Sequence, residues 1–324
     1  MSMNNTSLTS SLDTKRISVF LLIAFLIAWL IALILYLNGG LANSPVIIKG
    51  TPITLSLVLL AGGYMFAPAL ANILTRAITR EGWSNLYLKP NLKHGKMYWL
   101  AAWFLPGICT IAGGAIFFAL FPQYFDPSFS ILKKTIPPAA LNVVPMSTLI
   151  ALMLGQALVI SPIINGIFTL GEEFGWRAYL LQKLLPLGKV KALIVLGVIW
   201  GVWHAPVIAM GHNYGLEYPG YPWSGILMMV VFCLAGGSML GWAALEGNSV
   251  WPAVIGHGAM NGIAGSAVLF MIGKPNPLIG PLPVGIIGMS GYILFGIWVF
   301  FYYSRKDRQS SVPQVPYPSE EKTS

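Results

Sequence analysis

The sequence predicts an all-α integral membrane protein of about eight transmembrane helices, and three observations carry that reading. Only 9% of the 324 residues are charged, against about a quarter in soluble domains. The mean hydropathy is +0.72 and 56% of residues are hydrophobic. Several apolar runs reach the ~20 residues that a helix needs to cross a bilayer. These runs are continuously apolar, whereas barrel strands alternate over ~10 residues, so helices are expected rather than a barrel.

Taken in order, the expected spans are 17–37, 52–74, 97–120, 147–185, 190–210, 223–245, 249–272 and 283–304. The first follows Lys15 and Arg16 and has the look of a signal peptide. Its apolar stretch is longer than a usual h-region, and "NGGLANSP" lacks an A-x-A cleavage pattern, so an uncleaved span is expected. The fourth is over-long, and Pro145 and Pro162 are expected to bend it. Residues 1–308 read as one polytopic domain, with its motif core at about 165–265. The polar, Pro-rich stretch 309–324 reads as a disordered cytoplasmic tail.

The net charge of +9 does not point to nucleic acid in so apolar a chain; what matters is where the cations fall. With the N-terminus inside, 15 of the 19 Lys and Arg lie in inside segments and the other 4, Lys49, Lys133, Lys134 and Lys274, lie outside. Both termini are therefore expected in the cytoplasm, with the chain in a plasma membrane of bacterial type. Cys109 and Cys233 fall in apolar runs and read as small hydrophobes rather than a disulfide or a metal site. His94 and His212 lie between runs and read as solvated.

Against this background "TLGEEFGWRAYL", Thr169 to Leu180, places Glu172, Glu173 and Arg177 inside the fourth run. On insertion scales each ionisable group in a span costs ~2.5–3.5 kcal/mol, so they must pair, face a wet cavity or lie beyond the membrane edge. The last alternative ends the fourth run near Leu170 and leaves the charges in a loop. The apolar "AYLLQKLLPL" that follows argues instead for helix as far as Pro186. Counted from Lys183, Lys191 and Ser249 at 1.5 Å per residue, Glu172, His204 and His257 fall at depths of ~16, ~20 and ~12 Å. Three polar groups on three spans can thus meet in one cavity, expected to open toward the cytoplasmic side.

Spacing separates the roles. Glu173 and Arg177 are i, i+4 and can pair, while Glu172 is rotated ~100° onto another face. Trp200 and His204 are i, i+4, as are His257 and Asn261. Taken singly, His204 reads as an interhelical hydrogen bond, Asn261 as helix glue, and Gly258/Gly262 and Gly237/Gly241 as close-packing pairs. The combination of Glu, His, His and Asn outweighs those readings.

At these residues the chain resembles the CAAX protease and bacteriocin-processing (CPBP, or ABI) family of intramembrane proteases. That family carries E-E-x-x-x-R, F-x-x-x-H and H-x-x-x-N in this order on separate spans. Here they read Glu172-Glu173-x-x-x-Arg177, Trp200-x-x-x-His204 and His257-x-x-x-Asn261. Trp200 stands where Phe is frequent, a change expected to matter little because both are aromatic. Ala178 stands where Gly often follows the Arg.

The resemblance implies a roughly eight-span fold and a peptidase. It assigns Glu172 with His204 to hold and deprotonate a water, His257 and Asn261 to donate to the oxyanion, and the Glu173–Arg177 pair to orient Glu172. Glu172, His204 and His257 would also suit Zn2+ with water as the fourth ligand, metal-free glutamate catalysis being the alternative. The implied substrate is a membrane-associated peptide or protein, prenylated or otherwise lipidated, met within the lipid bilayer. Rival readings are an ion-coupled transporter and a non-enzymatic immunity or scaffold factor on the same fold.

Overall fold

The structure, a computed structural model, describes residues 12–136 and 143–311. The tail expected to be disordered lies almost wholly outside the described residues. Among those described, the chain is helical with no strand, and only two isolated bridges join Val46 to Thr54 and Phe125 to Met271.

Six helical stretches are long and apolar enough to cross a membrane, where eight were expected. They are α1 (Thr14–Leu37); α2 (Leu55–Leu59) running through a π segment (Leu60–Tyr64) into α3 (Ala67–Ile78); α4 (Leu92–Leu120); the long fourth run; α11 (Trp223–Gly247); and α12 (Trp251–Ile263) with the turn that follows it. A short α5 (Ser130–Thr135) precedes the fourth run. The other two expected spans differ for identifiable reasons. The fifth forms α9 (Lys189–Trp203) and then breaks into a four-residue α10 (Ala205–Ile208), because Pro206 lacks an N–H and its ring opposes the carbonyl of Val202. The eighth, α13 (Ser290–Ser311), spends its last turns on Arg305, Lys306, Asp307 and Arg308.

The fourth run is helical from Met146 to Leu187, but not as one regular helix. It is α6 (Met146–Val159), α7 (Ser161–Gly175), a π turn (Trp176–Leu180), α8 (Leu181–Leu184) and a 3-10 turn (Leu185–Leu187). Pro162 sits in the first turn of α7, where its missing N–H costs nothing. The reading that ended this helix near Leu170 is excluded.

Packing follows the logic of a membrane interior. On α1 the inner face is Phe20, Ala24, Ala28, Ala32 and Leu35, all buried, while Leu22, Leu26, Leu30 and Leu33 point outward and are exposed. Small residues meet neighbouring helices and large apolar ones are left for lipid. α12 lies at the centre, packed on α7 and α4; α9 lies against α11, and α3 joins α1 to α7. The chain is a multi-pass membrane protein.

The charges gather at one end of the bundle. Glu81 accepts from Lys183 and from the Tyr179 hydroxyl and lies 3.4 Å from Arg16, which also pairs with Asp13 at 2.9 Å. Glu246 pairs with Lys306 at 3.0 Å and Lys189 at 3.6 Å. Burial works to raise the Glu81 carboxyl, but hydrogen bonds from Lys183 and Tyr179 and the charges of Lys183 and Arg76 outweigh it and hold Glu81 below its ordinary value. A lowered carboxylate stabilises the fold above its unfolded-state value of about 4.3, and that contribution is lost as pH falls through the folded value. Glu81→Gln is therefore expected to lower the thermal transition at pH 7, the gap to wild type closing below about pH 4. A gap that stays constant across that range would show that Glu81 acts without its charge.

Candidate active site

The two adjacent carboxylates on α7 face different partners. Glu173 Oε1 accepts from Arg177 Nη1 at 2.8 Å and sits 2.8 Å from His257 Nδ1 on α12. Glu172 Oε2 accepts from the indole N–H of Trp200 on α9 at 2.8 Å. Glu172 is 3% exposed, His257 6%, and Glu173 and Arg177 0%, so these charges lie in the protein interior.

Close helix approach makes this possible. A Cβ on Gly258 would stand 2.4 Å from the Pro162 carbonyl oxygen, and one on Gly262 2.5 Å from the Ser161 Cβ. Both glycines are thus contact points between α12 and α7, as their spacing suggested. On the far face of α7, Gly175 presses on Pro68 and Gly171 on Met65 and Phe66 of the second span. Thr169 Oγ1 donates to the Val254 carbonyl at 2.9 Å, adding a polar tie along the same seam.

His204 stands at the break after α9 rather than within a helix. Its Nδ1 is 2.8 Å from the Trp200 carbonyl oxygen. The carbonyl of Trp203, freed at the same break, accepts from the Tyr64 hydroxyl at 2.5 Å and from Trp29 Nε1 at 3.2 Å. Two earlier helices therefore clamp the end of α9 that carries His204.

Glu172, His204, His257 and Asn261 all line one cavity of about 330 Å³. Asn261 is exposed at its wall, one turn beyond His257. The hydrogen-bond partners fix the tautomers. A carbonyl oxygen only accepts, so His204 Nδ1 must donate, which leaves Nε2 as a lone pair in the neutral ring. His257 likewise spends Nδ1–H on the Glu173 carboxylate.

Several expectations change here. Glu173 and Arg177 pair as their spacing indicated, but Glu173 orients His257, while Glu172 takes its hydrogen bond from Trp200. The exchange of Phe for Trp at 200 is not neutral, since Phe has no N–H to give. His212 is not a solvated loop residue: it is half-buried and lines the same cavity. The cavity wall also includes His212, Asn213, Pro283 and Val284, from connections between helices. Among the described residues, no three His, Cys, Asp or Glu side chains are grouped so as to hold a metal ion.

The family described as type II CAAX prenyl endopeptidase Rce1-like matches residues 147–263, the stretch that contains all three motifs, from Glu172 to Asn261. Over this stretch the chain is similar to that family. CAAX prenyl protease 2 of Methanococcus maripaludis is 32% identical over 93 residues. That alignment covers 28% of this chain and 34% of the relative, so the chain spans about a third of the curated relative it matches. The matched region begins with α6 and ends with α12, and leaves out Tyr64 and Trp29, whose clamp on Trp203 comes from helices outside the match.

A hydrogen bond to a charged group contributes about 1.5–3 kcal/mol. Trp200→Phe keeps the ring but deletes the donor to Glu172, and the fold is expected to lose about 1.5–3 kcal/mol, read as a lowered thermal transition. A wild-type thermal transition in this variant would show that the indole N–H has no bearing on Glu172.

Proposed function

We propose that this chain is an intramembrane endopeptidase of the CAAX prenyl protease type, hydrolysing a peptide bond of a membrane-associated, lipidated peptide or protein. The observation that carries the reading is the shared cavity. Glu172 and His204 present hydrogen-bond acceptors to it, and His257 and Asn261 stand on its wall as donors.

In this mechanism a water lies between Glu172 and the His204 Nε2 lone pair. Glu172 takes a proton as the water oxygen attacks the scissile carbonyl carbon. The new oxyanion accepts hydrogen bonds from the Asn261 amide and from His257 Nε2. With Nδ1–H committed to Glu173, His257 can donate from Nε2 only as an imidazolium. The neighbouring Glu173 carboxylate suits that form. Glu172, Glu173, Arg177 and His257 then sum to zero charge, which is the composition a dry interior tolerates best. As the C–N bond breaks, Glu172 returns its proton to the leaving amine.

No step of this mechanism passes through a metal. Metal content of purified protein, with cleavage before and after chelation, tests this. Full activity of metal-free protein is expected; loss on chelation and recovery with Zn2+ would restore the zinc mechanism. The excess of Lys and Arg at the end bearing Glu81 and Glu246 supports placing that end, and both termini, in the cytoplasm.

The decisive experiment is cleavage of prenylated C-a-a-X reporter peptides by wild type and by Glu172→Gln. The variant keeps volume and an acceptor but cannot hold the water's proton, and kcat is expected to fall by at least ~10³-fold. Wild-type cleavage by Glu172→Gln would sink the assignment, and a wild type that binds but never cuts would favour the non-enzymatic reading.

A further inference from the structure

His212 belongs to none of the three motifs and has no part in the mechanism above, yet the fold delivers it to the same cavity. After α10 the chain turns through Gly211 and Asn213, both left-handed, with φ of 93° and 65°. The His212 backbone N–H donates to the Val207 carbonyl at 3.0 Å, and its carbonyl accepts from the Tyr214 N–H at 2.8 Å. The buried Tyr214 hydroxyl donates to the Val284 carbonyl at 3.1 Å, tying this turn to the connection before α13. The turn is therefore held from both sides, and it sets His212 into the wall shared with Glu172, His204 and His257.

The other titratable side chains on the wall each have a protein partner. Glu172 has Trp200, His204 the Trp200 carbonyl, His257 has Glu173, Tyr64 the Trp203 carbonyl and Cys233 the Met229 sulfur. Among the described residues, the His212 ring has no hydrogen-bond partner. A half-buried imidazole in that position loses hydration without compensation, unless what fills the cavity bonds to it. A neutral imidazole donates from one nitrogen and accepts at the other, which matches the N–H and C=O of a peptide backbone. It also lies within electrostatic reach of His204.

We propose that His212 is a substrate-binding residue that hydrogen-bonds the backbone of the bound peptide on the His204 side of the scissile bond. This rests on the endopeptidase reading above. It assigns a binding role to the connection between the fifth and sixth helical segments and lies outside the three motifs.

The probe is a fluorescent farnesylated C-a-a-X peptide with the full-length protein in nanodiscs. One hydrogen bond to an uncharged group corresponds to a KM raised roughly 3- to 10-fold in His212→Ala, with kcat within about twofold. His212→Gln, which keeps a donor and an acceptor, is expected to recover most of the loss; a purely structural role would lower kcat and folded fraction together and would not follow that order. An unchanged KM, or a fall in kcat at unchanged KM, overturns the proposal. Fluorescence anisotropy with the same peptide compares Glu172→Gln with Glu172→Gln/His212→Ala. Affinity weaker by a similar factor in the double variant is expected, and equal affinity overturns the proposal whatever the turnover shows. If wild type binds the peptide in a His212-dependent way but never cuts it, the endopeptidase reading fails while the binding site stands.

Discussion

One carboxylate oxygen holds this site together. Glu173 Oε1 takes Arg177 from its own helix and His257 from α12, each at 2.8 Å, with no exposure to solvent. Removing any one partner of such a set leaves an uncompensated buried charge, at a cost of about 3–5 kcal/mol, so the three are interlocked. The lock extends further. The Arg177 guanidinium lies 4.3 Å over the Trp200 ring, and Trp200 donates to Glu172. Fixing Glu173 therefore fixes His257 directly and Glu172 through two intermediates.

Such an arrangement needs helices close enough to exclude water and lipid from the charges, and the glycines supply that closeness. Gly237 shows it most directly. A Cβ there would stand 3.2 Å from Arg177 Nη2 and 3.4 Å from the Trp200 ring, so the groove that seats the guanidinium and the indole exists because that position has no side chain. The same economy shapes α1, whose inward Ala24, Ala28 and Ala32 let the second span approach while its leucines face out. In a bilayer apolar contact alone gives helices little reason to associate, so close packing and buried polar ties carry more of the work.

Much of this was legible in the sequence because it is written in periodicity and spacing. Continuous apolar runs marked the helices, the i, i+4 offset paired Glu173 with Arg177, and similar depths brought Glu172, His204 and His257 to one cavity. What stayed hidden depended on which side chain meets which across helices. Nothing local says that the Trp200 indole reaches back 28 residues to Glu172, or that His257 turns to Glu173. His212 read as solvated because a polar residue near glycines resembles a loop. Its place follows from a turn fastened by Tyr214 to a segment 70 residues away. The fifth span broke earlier than its hydropathy suggested because apolar Val207 and Ile208 mask the effect of Pro206 on the backbone.

The break at Pro206 has a chemical consequence. Were α9 to continue, the Trp200 carbonyl would belong to the backbone ladder, with the His204 N–H as its ordinary donor. Instead the His204 N–H turns to Gly201, and the Trp200 carbonyl receives the ring Nδ1. That single exchange fixes the His204 tautomer and leaves its Nε2 as a lone pair. His257, within an unbroken helix, meets a carboxylate instead of a carbonyl. Two histidines of identical chemistry are thus placed differently, one with Nδ1 on a carbonyl and one with Nδ1 on a carboxylate, and the proposed mechanism uses the first to accept from water and the second to donate to an oxyanion.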